Sequence, residues 1–273
     1  MSIFEAIILG IVQGLTEFLP ISSSGHLRIV PAIMGWEDPG AGFTAVIQIG
    51  TMAAVLLYFR EDIWNITTAF LRGLLRRARE DDGDDIRMGW YIALGTVPIV
   101  VLGVAFSDQI ENEARNLYLI GGMLIGMGLF LGAVDALAKH VRTIDSVGRK
   151  DALIIGIAQS MALIPGVSRS GATITFGLLR GFTRRDAARF SFLLSIPAVV
   201  LSGVYQLGDA FNQSAGAGPE AVIIATLASF VVGYASIAFL LKWLGEHTMG
   251  IFVAYRLVVG AAVIALAATG AIS

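Results

Sequence analysis

Six long apolar runs, each bounded by polar or charged residues, constrain this chain more than any other feature of its sequence. They lie at 43–59, 88–106, 117–138, 187–207, 221–241 and 249–272. The hydrocarbon core of a bilayer is about 30 Å thick and takes about 20 apolar residues in a helix. Charged residues make up only 15% of the chain, whereas a soluble domain carries about 25%. The sequence therefore predicts an all-α, polytopic membrane protein with six transmembrane helices.

Two further apolar stretches, 3–35 and 152–179, are each interrupted near the middle by proline, serine and glycine. The first contains PISSSG at 20–25, and the second contains PGVSRSG at 165–171. Each half is too short to cross a bilayer by itself. Non-helical backbone at membrane depth is tolerated only where protein buries it or where it lines a watery cavity. We therefore expect two re-entrant helical hairpins.

The charges of the loops predict how these segments are oriented. Lysine and arginine are concentrated at 60–87, 139–150 and 180–189, and such clusters are typical of cytoplasmic loops. The segment 60–87 is therefore expected to be a solvated cytoplasmic linker with an amphipathic start. This orientation predicts that the first hairpin enters from outside, that the second enters from the cytoplasm, and that both termini lie outside.

The sequence also repeats itself at an offset of 146 positions. GIVQ at 10–13 matches GIAQ at 156–159, and the serines and glycine of the first break match those of the second. Internal similarity combined with opposed orientation is typical of an inverted-topology repeat. We expect one membrane domain, 1–273, with two pseudo-symmetric halves at about 1–140 and 141–273.

Two pairs of glycines, Gly122 with Gly126 and Gly128 with Gly132, have the spacing of helix-packing faces. They predict close contacts either within the bundle or between the protomers of a homodimer. The formal net charge of −2 gives no basic surface for nucleic acid, and the absence of cysteine excludes a thiol nucleophile.

Ionisable side chains inside membrane segments are costly and are candidates for function. The predicted segments contain Glu17, His26, Arg28, Asp135, Arg169 and Arg256. Arg28 and Asp135 lie near predicted ends, which favours snorkelling or capping. Arg256 lies deep in the last span, and both a structural role and a role in supporting a site remain open for it.

The remaining three, Glu17, His26 and Arg169, lie within or beside the two breaks. Gln13 and Glu17 share one helical face, half-helix N-termini favour anions, and a guanidinium suits phosphate oxygens. These parts predict a site for a phosphorylated ligand, with further binding candidates at Gln13, Ser22, Ser24, Gly25, Ser168, Ser170, Gly171 and Thr173. Three simpler interpretations compete: the serines only cap helices, Glu17 and Arg169 form a structural pair, or His26 is a satisfied buried histidine.

Two motifs, QGLTEFLPISSSGH at 13–26 and PGVSRSGAT at 165–173, together resemble those of the undecaprenyl-diphosphate phosphatase family, the bacitracin-resistance type of integral membrane phosphatase. The resemblance covers essentially the whole chain. It implies hydrolysis of the C55 polyprenyl diphosphate to the monophosphate and inorganic phosphate, at the outer face of the plasma membrane, which recycles the lipid carrier of cell-wall synthesis. The residues that match the functional positions of the family are Glu17, Ser23, His26 and Arg169.

The resemblance also implies a divalent cation, Mg²⁺. The family has an acidic residue or glutamine four positions before its functional glutamate, and this chain has Gln13. A site with two carboxylates is thus excluded, so we expect Mg²⁺ to rest on Glu17, the diphosphate and water.

A mechanism follows as a hypothesis from the resemblance and from the needs of phosphoryl transfer. Arg169 and the half-helix N-termini would hold the diphosphate, and Ser23 would attack phosphorus or orient a water that does. His26 would act as base for that step or as acid for the leaving group, while Glu17 orients the imidazole or holds the metal. A transporter or flippase for polyprenyl phosphate, or for another phosphorylated anion, is the alternative, because broken helices in inverted repeats are also a transport architecture.

Overall fold

A computed structural model describes residues 1–106, 116–213 and 218–272, and the described part of the chain is helical without a β-strand. The eleven helices that we label are α1 (Ile3–Phe18), α2 (Ser23–Met34), α3 (Gly40–Tyr58), α4 (Arg60–Leu74), α5 (Gly83–Ala105), α6 (Leu117–Leu137), α7 (Arg149–Ser160), α8 (Arg169–Leu179), α9 (Arg184–Gln213), α10 (Pro219–Trp243) and α11 (Gly250–Ala268). Three short 3₁₀ turns lie at Glu80–Asp82, Ile144–Ser146 and Met161–Leu163. The predicted all-α class is confirmed.

Four of these helices are long and apolar enough to cross a membrane: α5 with the turn before it, α6, α10 and α11. A fifth span is formed if α3 and α4, which meet at an angle of 77°, count as one broken segment. The protein is therefore a multi-pass membrane protein. The predicted spans at 88–106, 117–138, 221–241 and 249–272 coincide with the four helices, and 43–59 lies on α3. The sixth, 187–207, lies on α9, but it runs beyond residue 203, where no side chains are described.

Both predicted breaks are present, and they are built alike. The half-helices α1, α2, α7 and α8 have 16, 12, 12 and 11 residues. The second half-helix of each pair begins after a serine in the left-handed region, Ser22 at φ 78° and Ser168 at φ 73°. The Oγ of that serine accepts a hydrogen bond from the backbone N–H three residues later, at Gly25 or at Gly171. The same local geometry thus recurs at equivalent positions of the two halves.

Close helix packing holds each broken pair against the opposite half of the chain. α1 packs along α10, and α7 packs along α5. A Cβ atom at Gly10 would overlap the backbone of Ala225, and one at Gly156 would overlap the backbone of Gly95. Glycine is therefore required at both positions, because only its missing side chain lets the backbones approach so closely.

The segment 60–87 begins with a helix that packs against the rest of the protein along one face. Residues 60–74 form α4, which packs against α5 through Phe70 and Trp90, with ring centroids 5.0 Å apart. Arg72 also makes an ion pair with Asp82. The reason is that the apolar side chains of α4 recur at helical spacing, so that one face packs against protein. Trp64, on the other face, remains 70% exposed.

Candidate functional site

Glu17 is the point at which the two breaks meet. It lies in the last turn of α1, while Ser23 and Arg169 are the first residues of α2 and α8. Nη2 of Arg169 donates to Oε1 of Glu17 at 2.6 Å, and Oγ of Ser23 donates to Oε2 at 2.6 Å. The side chains of Glu17 and Arg169 are only 8% and 15% exposed. The structure thus joins three of the four predicted functional residues through one carboxylate.

Gln13 lies one turn before Glu17 on the same face of α1. Its Nε2 donates to Oε2 of Glu17 at 3.2 Å and to Oγ1 of Thr51 at 3.3 Å. Thr51 acts as the acceptor, because its own proton goes to the carbonyl of Gln48. Both amide protons are therefore used, which orients the group. The other amide atom, Oε1, is buried and has no hydrogen-bond partner within the described residues.

The two helices that begin at the breaks, α2 and α8, also carry free backbone N–H groups. The first two amides of α2, at Ser23 and Ser24, make no hydrogen bond within the described part of the chain, and neither do those of α8, at Arg169 and Ser170. Apart from Nη2, the donors of the Arg169 guanidinium likewise have no partner among the described residues. Free amides at helix N-termini and an open guanidinium are the groups that bind phosphate.

The other predicted binding residues divide into two groups. Ser24 is exposed, and its Oγ lies 3.4 Å from that of Ser22. Buried hydroxyls, in contrast, are used by the protein itself: Ser22 and Ser168 cap α2 and α8, and Ser170 donates to the carbonyl of Leu19. At these three positions the capping and packing interpretation describes what the structure shows.

Thr173 is also turned away from the carboxylate. It is fully buried, donates to the carbonyl of Arg169, and contacts the hydroxyl of Ser191 on α9. The structure thus places its hydroxyl in the packing between α8 and α9. Gly25 and Gly171 contribute to the breaks through their backbone N–H groups, which donate to the capping Oγ atoms of Ser22 and Ser168.

His26 is buried beside the first break, but among the described residues it bonds to neither Ser23 nor Glu17. Its Nδ1 lies 2.7 Å from the carbonyl of Ser22, and its Nε2 lies 2.8 Å from the hydroxyl of Tyr255. Tyr255, on α11, is a residue that the sequence analysis missed. Its only signal in the sequence is its position directly before the intramembrane residue Arg256.

Arg256 has a structural role that the sequence left open. It is 1% exposed, and its guanidinium donates to five backbone carbonyls between 3.0 and 3.1 Å away, those of Pro20, Met123, Leu124, Gly166 and Val167. Pro20 belongs to the first break, and Gly166 and Val167 belong to the second. One side chain of α11 thus ties both breaks to α6.

Arg28 and Asp135 lie outside the site, as their positions near segment ends suggested. Nε of Arg28 lies 3.4 Å from a carboxylate oxygen of Asp38. Asp135 accepts from Nε of Arg184 at 2.6 Å and from the backbone N–H of Met249 at 3.0 Å. Met249 directly precedes α11, so Asp135 caps the start of that helix.

The junction offers few protein ligands for a divalent cation. Within the described residues no group of three or more histidine, cysteine, aspartate or glutamate side chains could hold a metal ion. The junction does offer the carboxylate of Glu17 and the unpaired Oε1 of Gln13. Mg²⁺ accepts oxygen ligands and commonly uses one or two carboxylates together with substrate phosphates and water. The donor set therefore fits Mg²⁺ that arrives with a phosphorylated ligand.

Comparison with known proteins identifies the family. The family model described as bacitracin resistance protein BacA matches residues 6–262. The chain belongs to the BacA family. It is 53% identical over 281 residues to the undecaprenyl-diphosphatase of Chlorobium chlorochromatii, covering 100% of this chain and 99% of the relative. The undecaprenyl-diphosphatase of Nocardioides sp. is 52% identical over 270 residues, covering 98% of each chain.

A third relative, the undecaprenyl-diphosphatase of Pelodictyon phaeoclathratiforme, is 52% identical over 280 residues, and the match covers 99% of each chain. The region matched by the family model, residues 6–262, includes both breaks. In this BacA family member, the junction of the two breaks at Glu17 combines a carboxylate bonded to a serine hydroxyl, an arginine with free donors, and four unpaired backbone amides. Such a set can hold a phosphate group beside an activated hydroxyl.

Proposed function

We propose that this BacA family member hydrolyses undecaprenyl diphosphate to undecaprenyl monophosphate and inorganic phosphate, which returns the lipid carrier to cell-wall synthesis. The relatives that match over essentially the full length are undecaprenyl-diphosphatases, which supports this proposal. The observation that carries it in the structure is the hydrogen bond of 2.6 Å from Ser23 to Glu17, next to the guanidinium of Arg169. A carrier of polyprenyl phosphate would need the positive charge of Arg169 to bind the phosphate, but it would not need an activated serine hydroxyl.

In the first step of the proposed reaction, Arg169 and the free amides of α2 and α8 bind the diphosphate oxygens. Oγ of Ser23 attacks the terminal phosphorus, and its proton passes to Oε2 of Glu17. The bond between that phosphorus and the bridging oxygen breaks, so undecaprenyl monophosphate leaves and a phosphoserine remains. This role of Glu17 follows from its contact with Ser23, and it differs from the expected contact with the imidazole.

In the second step, water attacks the phosphoserine. The bond between phosphorus and Oγ of Ser23 breaks, and Glu17 returns its proton to Oγ. His26 is the remaining base near the break, and it accepts the proton that the water loses. The sum of both steps is the consumption of one water and the release of one phosphate.

We propose Mg²⁺ as the cofactor, held by the carboxylate of Glu17 and by Oε1 of Gln13. When bound, it would neutralise charge on the diphosphate oxygens. The other groups retain the tasks described above: Arg169 orients the phosphates, and Ser23 supplies the nucleophile.

The function is tested by measuring phosphate release from undecaprenyl diphosphate by the purified chain in detergent, with and without a chelator. We expect release by the wild type, loss of at least about 100-fold in Arg169→Ala, and wild-type rates in Arg149→Ala, an exposed arginine at the start of α7. Lipid binding without phosphate release would contradict the proposal and favour a carrier.

We further propose that the chain lies in the plasma membrane with six spans and two re-entrant hairpins in an inverted-topology repeat, with the site and both termini facing outside. The similar construction of the two breaks and the exchanged packing of α1 on α10 and α7 on α5 support the repeat. The basic residues at 60–87, 139–150 and 180–189 support the orientation.

The absence of cysteine from the chain allows a direct test of this orientation. Single cysteines introduced at Glu37 and at Lys150 should respond oppositely to a membrane-impermeant thiol reagent added to intact cells. We expect labelling at position 37 and none at position 150. Labelling of both positions, or of position 150 alone, would contradict the proposed topology.

We also propose a homodimer. A Cβ atom at Gly122 or Gly126 would meet no atom within 4 Å, whereas one at Gly132 would contact Val253. Gly122 and Gly126 thus face away from the described chain, and this face suits contact with a second copy. Replacing Gly122 by Leu should shift the protein to monomers in a light-scattering measurement in detergent, and an unchanged mass would contradict this interface.

A further inference from the structure

The hydrogen bonds of His26 determine which of its nitrogen atoms exchanges a proton. Nδ1 lies 2.7 Å from the carbonyl oxygen of Ser22. A carbonyl oxygen can only accept, so Nδ1 carries a proton in both the neutral and the charged ring. Nε2 is therefore the atom at which the imidazole gains or loses a proton.

Nε2 is in turn covered by Tyr255. The phenol oxygen lies 2.8 Å from Nε2, and the two rings are stacked with centroids 5.5 Å apart and planes 17° from parallel. His26 is only 5% exposed, whereas Tyr255 is 41% exposed. The phenol hydroxyl thus occupies the hydrogen-bonding position at Nε2, so a proton exchanged at this nitrogen must involve it.

The neighbour of Tyr255 in the sequence keeps this arrangement in place. Arg256 is bonded to carbonyls of both breaks. Because Tyr255 precedes it on the rigid helix α11, the phenol oxygen is held at a fixed place relative to the first break, which contains Ser22 and leads into α2. A stacked ring and a fixed helix together leave the imidazole few other orientations.

We propose that Tyr255 is a positioning residue for His26 and that it relays the proton exchanged at Nε2, an inference that rests on the proposed function. In the neutral state the phenol donates to Nε2. When water attacks the phosphoserine, the phenol oxygen takes the water proton while the phenol proton passes to Nε2, so no phenolate remains. The imidazolium then donates to the phenol oxygen, and after phosphate has left, Nε2 returns its proton to that oxygen while the phenol releases its own proton to water.

The inference is tested with Tyr255→Phe, which retains the stacked ring and removes only the hydroxyl. The relay acts in the second step, so phosphoenzyme should accumulate and kcat should fall by about tenfold or more, while kcat/KM, which reports the first step, stays within about twofold of the wild type. A merely structural role would lower the unfolding temperature without raising the phosphoenzyme fraction. Tyr118→Phe, which alters an exposed tyrosine on α6, is the matched control and should behave as the wild type.

A double-mutant comparison checks that Tyr255 acts through His26. In the His26→Gln background, Tyr255→Phe should change kcat by less than about twofold, because the base that it serves is gone. The inference is overturned if Tyr255→Phe has wild-type kcat and wild-type phosphoenzyme, or if it lowers kcat equally in both backgrounds. Failure of the proposed function looks different: the wild type then releases no phosphate, or no variant carries a labelled serine.

Discussion

Arg256 offers a quantitative test of how the two breaks are held together. Of the five carbonyls that it binds, those of Met123 and Leu124 lie within α6 and belong to its helical hydrogen-bond ladder. Those of Pro20, Gly166 and Val167 lie in the breaks and have no other donor within the described residues. Removing the guanidinium should therefore leave three buried acceptors without a partner.

A buried acceptor that loses its donor costs about 1–3 kcal/mol, so three of them cost roughly 3–9 kcal/mol if the site stays dry. Water can follow a shortened side chain and satisfy some of them, which favours the lower end, about 3 kcal/mol. In a chain of this size that loss corresponds to a fall of about 6–12 °C in the unfolding temperature. We expect this result for both Arg256→Ala and Arg256→Met.

The methionine variant separates hydrogen bonding from packing, because it fills much of the same volume but donates nothing. Unfolding in detergent can be followed by the fluorescence of the four tryptophans. Arg87→Ala is the matched control, since the side chain of Arg87 is 65% exposed and a surface ion pair contributes little. An Arg256→Met protein as stable as the wild type would refute the reasoning.

Three further predictions concern the site, the helix packing and the effect of pH. Glu17→Gln removes the acceptor of the Ser23 proton and should lower phosphate release by at least about 100-fold, whereas Glu220→Gln, an exposed acid at the start of α10, should leave it unchanged. Gly156→Ala forces a methyl group into the backbone of Gly95 and should lower the free energy of unfolding, followed by heating, by about 1–3 kcal/mol. Gly203→Ala is the control, because a Cβ atom there meets no atom within 4 Å, and it should not destabilise the protein. Equal stabilities of the two variants would contradict the packing of α7 on α5. Burial alone would raise the pKa of Asp151, but hydrogen bonds from Arg142, Arg180 and the backbone N–H of Gly148 outweigh it and hold that pKa below its usual value. The stability from this carboxylate is therefore present above about pH 4 and is lost as the pH falls through the lowered pKa, so the unfolding temperatures of the wild type and Asp151→Asn should differ at neutral pH and converge in acid.

Much of the fold follows from local features of the sequence. Long apolar runs predicted the helices that cross the membrane, and the prolines and serines at 20–25 and 165–171 predicted where the two breaks lie. For the linker at 60–87 the sequence predicted an amphipathic start, but it did not predict that the apolar face of α4 packs on α5. Amphipathic packing of a charged helix depends on which partner the fold supplies.

Candidate site residues could be predicted where the residue type, a charged side chain, is rare inside a membrane. Glu17 and Arg169 lie 152 positions apart, and because each charge is costly to bury alone, a structural pair between them was one of the competing interpretations of the sequence. Tyr255 gave no such signal, because tyrosine is common at membrane interfaces. The sequence also could not show that the hydroxyls of Ser22 and Ser168 cap helices and that those of Ser170 and Thr173 bond to neighbouring protein groups, since the same hydroxyl types could bind a substrate.

The central claim is that Ser23, bonded to Glu17 and lying beside Arg169, is the nucleophile of diphosphate hydrolysis. Rapid-quench labelling with undecaprenyl diphosphate that carries radioactive phosphorus at its terminal position tests it most directly. The account predicts a labelled peptide containing Ser23 in the wild type and neither label nor turnover in Ser23→Ala. Phosphate release at the wild-type rate by Ser23→Ala, with no labelled peptide in either protein, would contradict it.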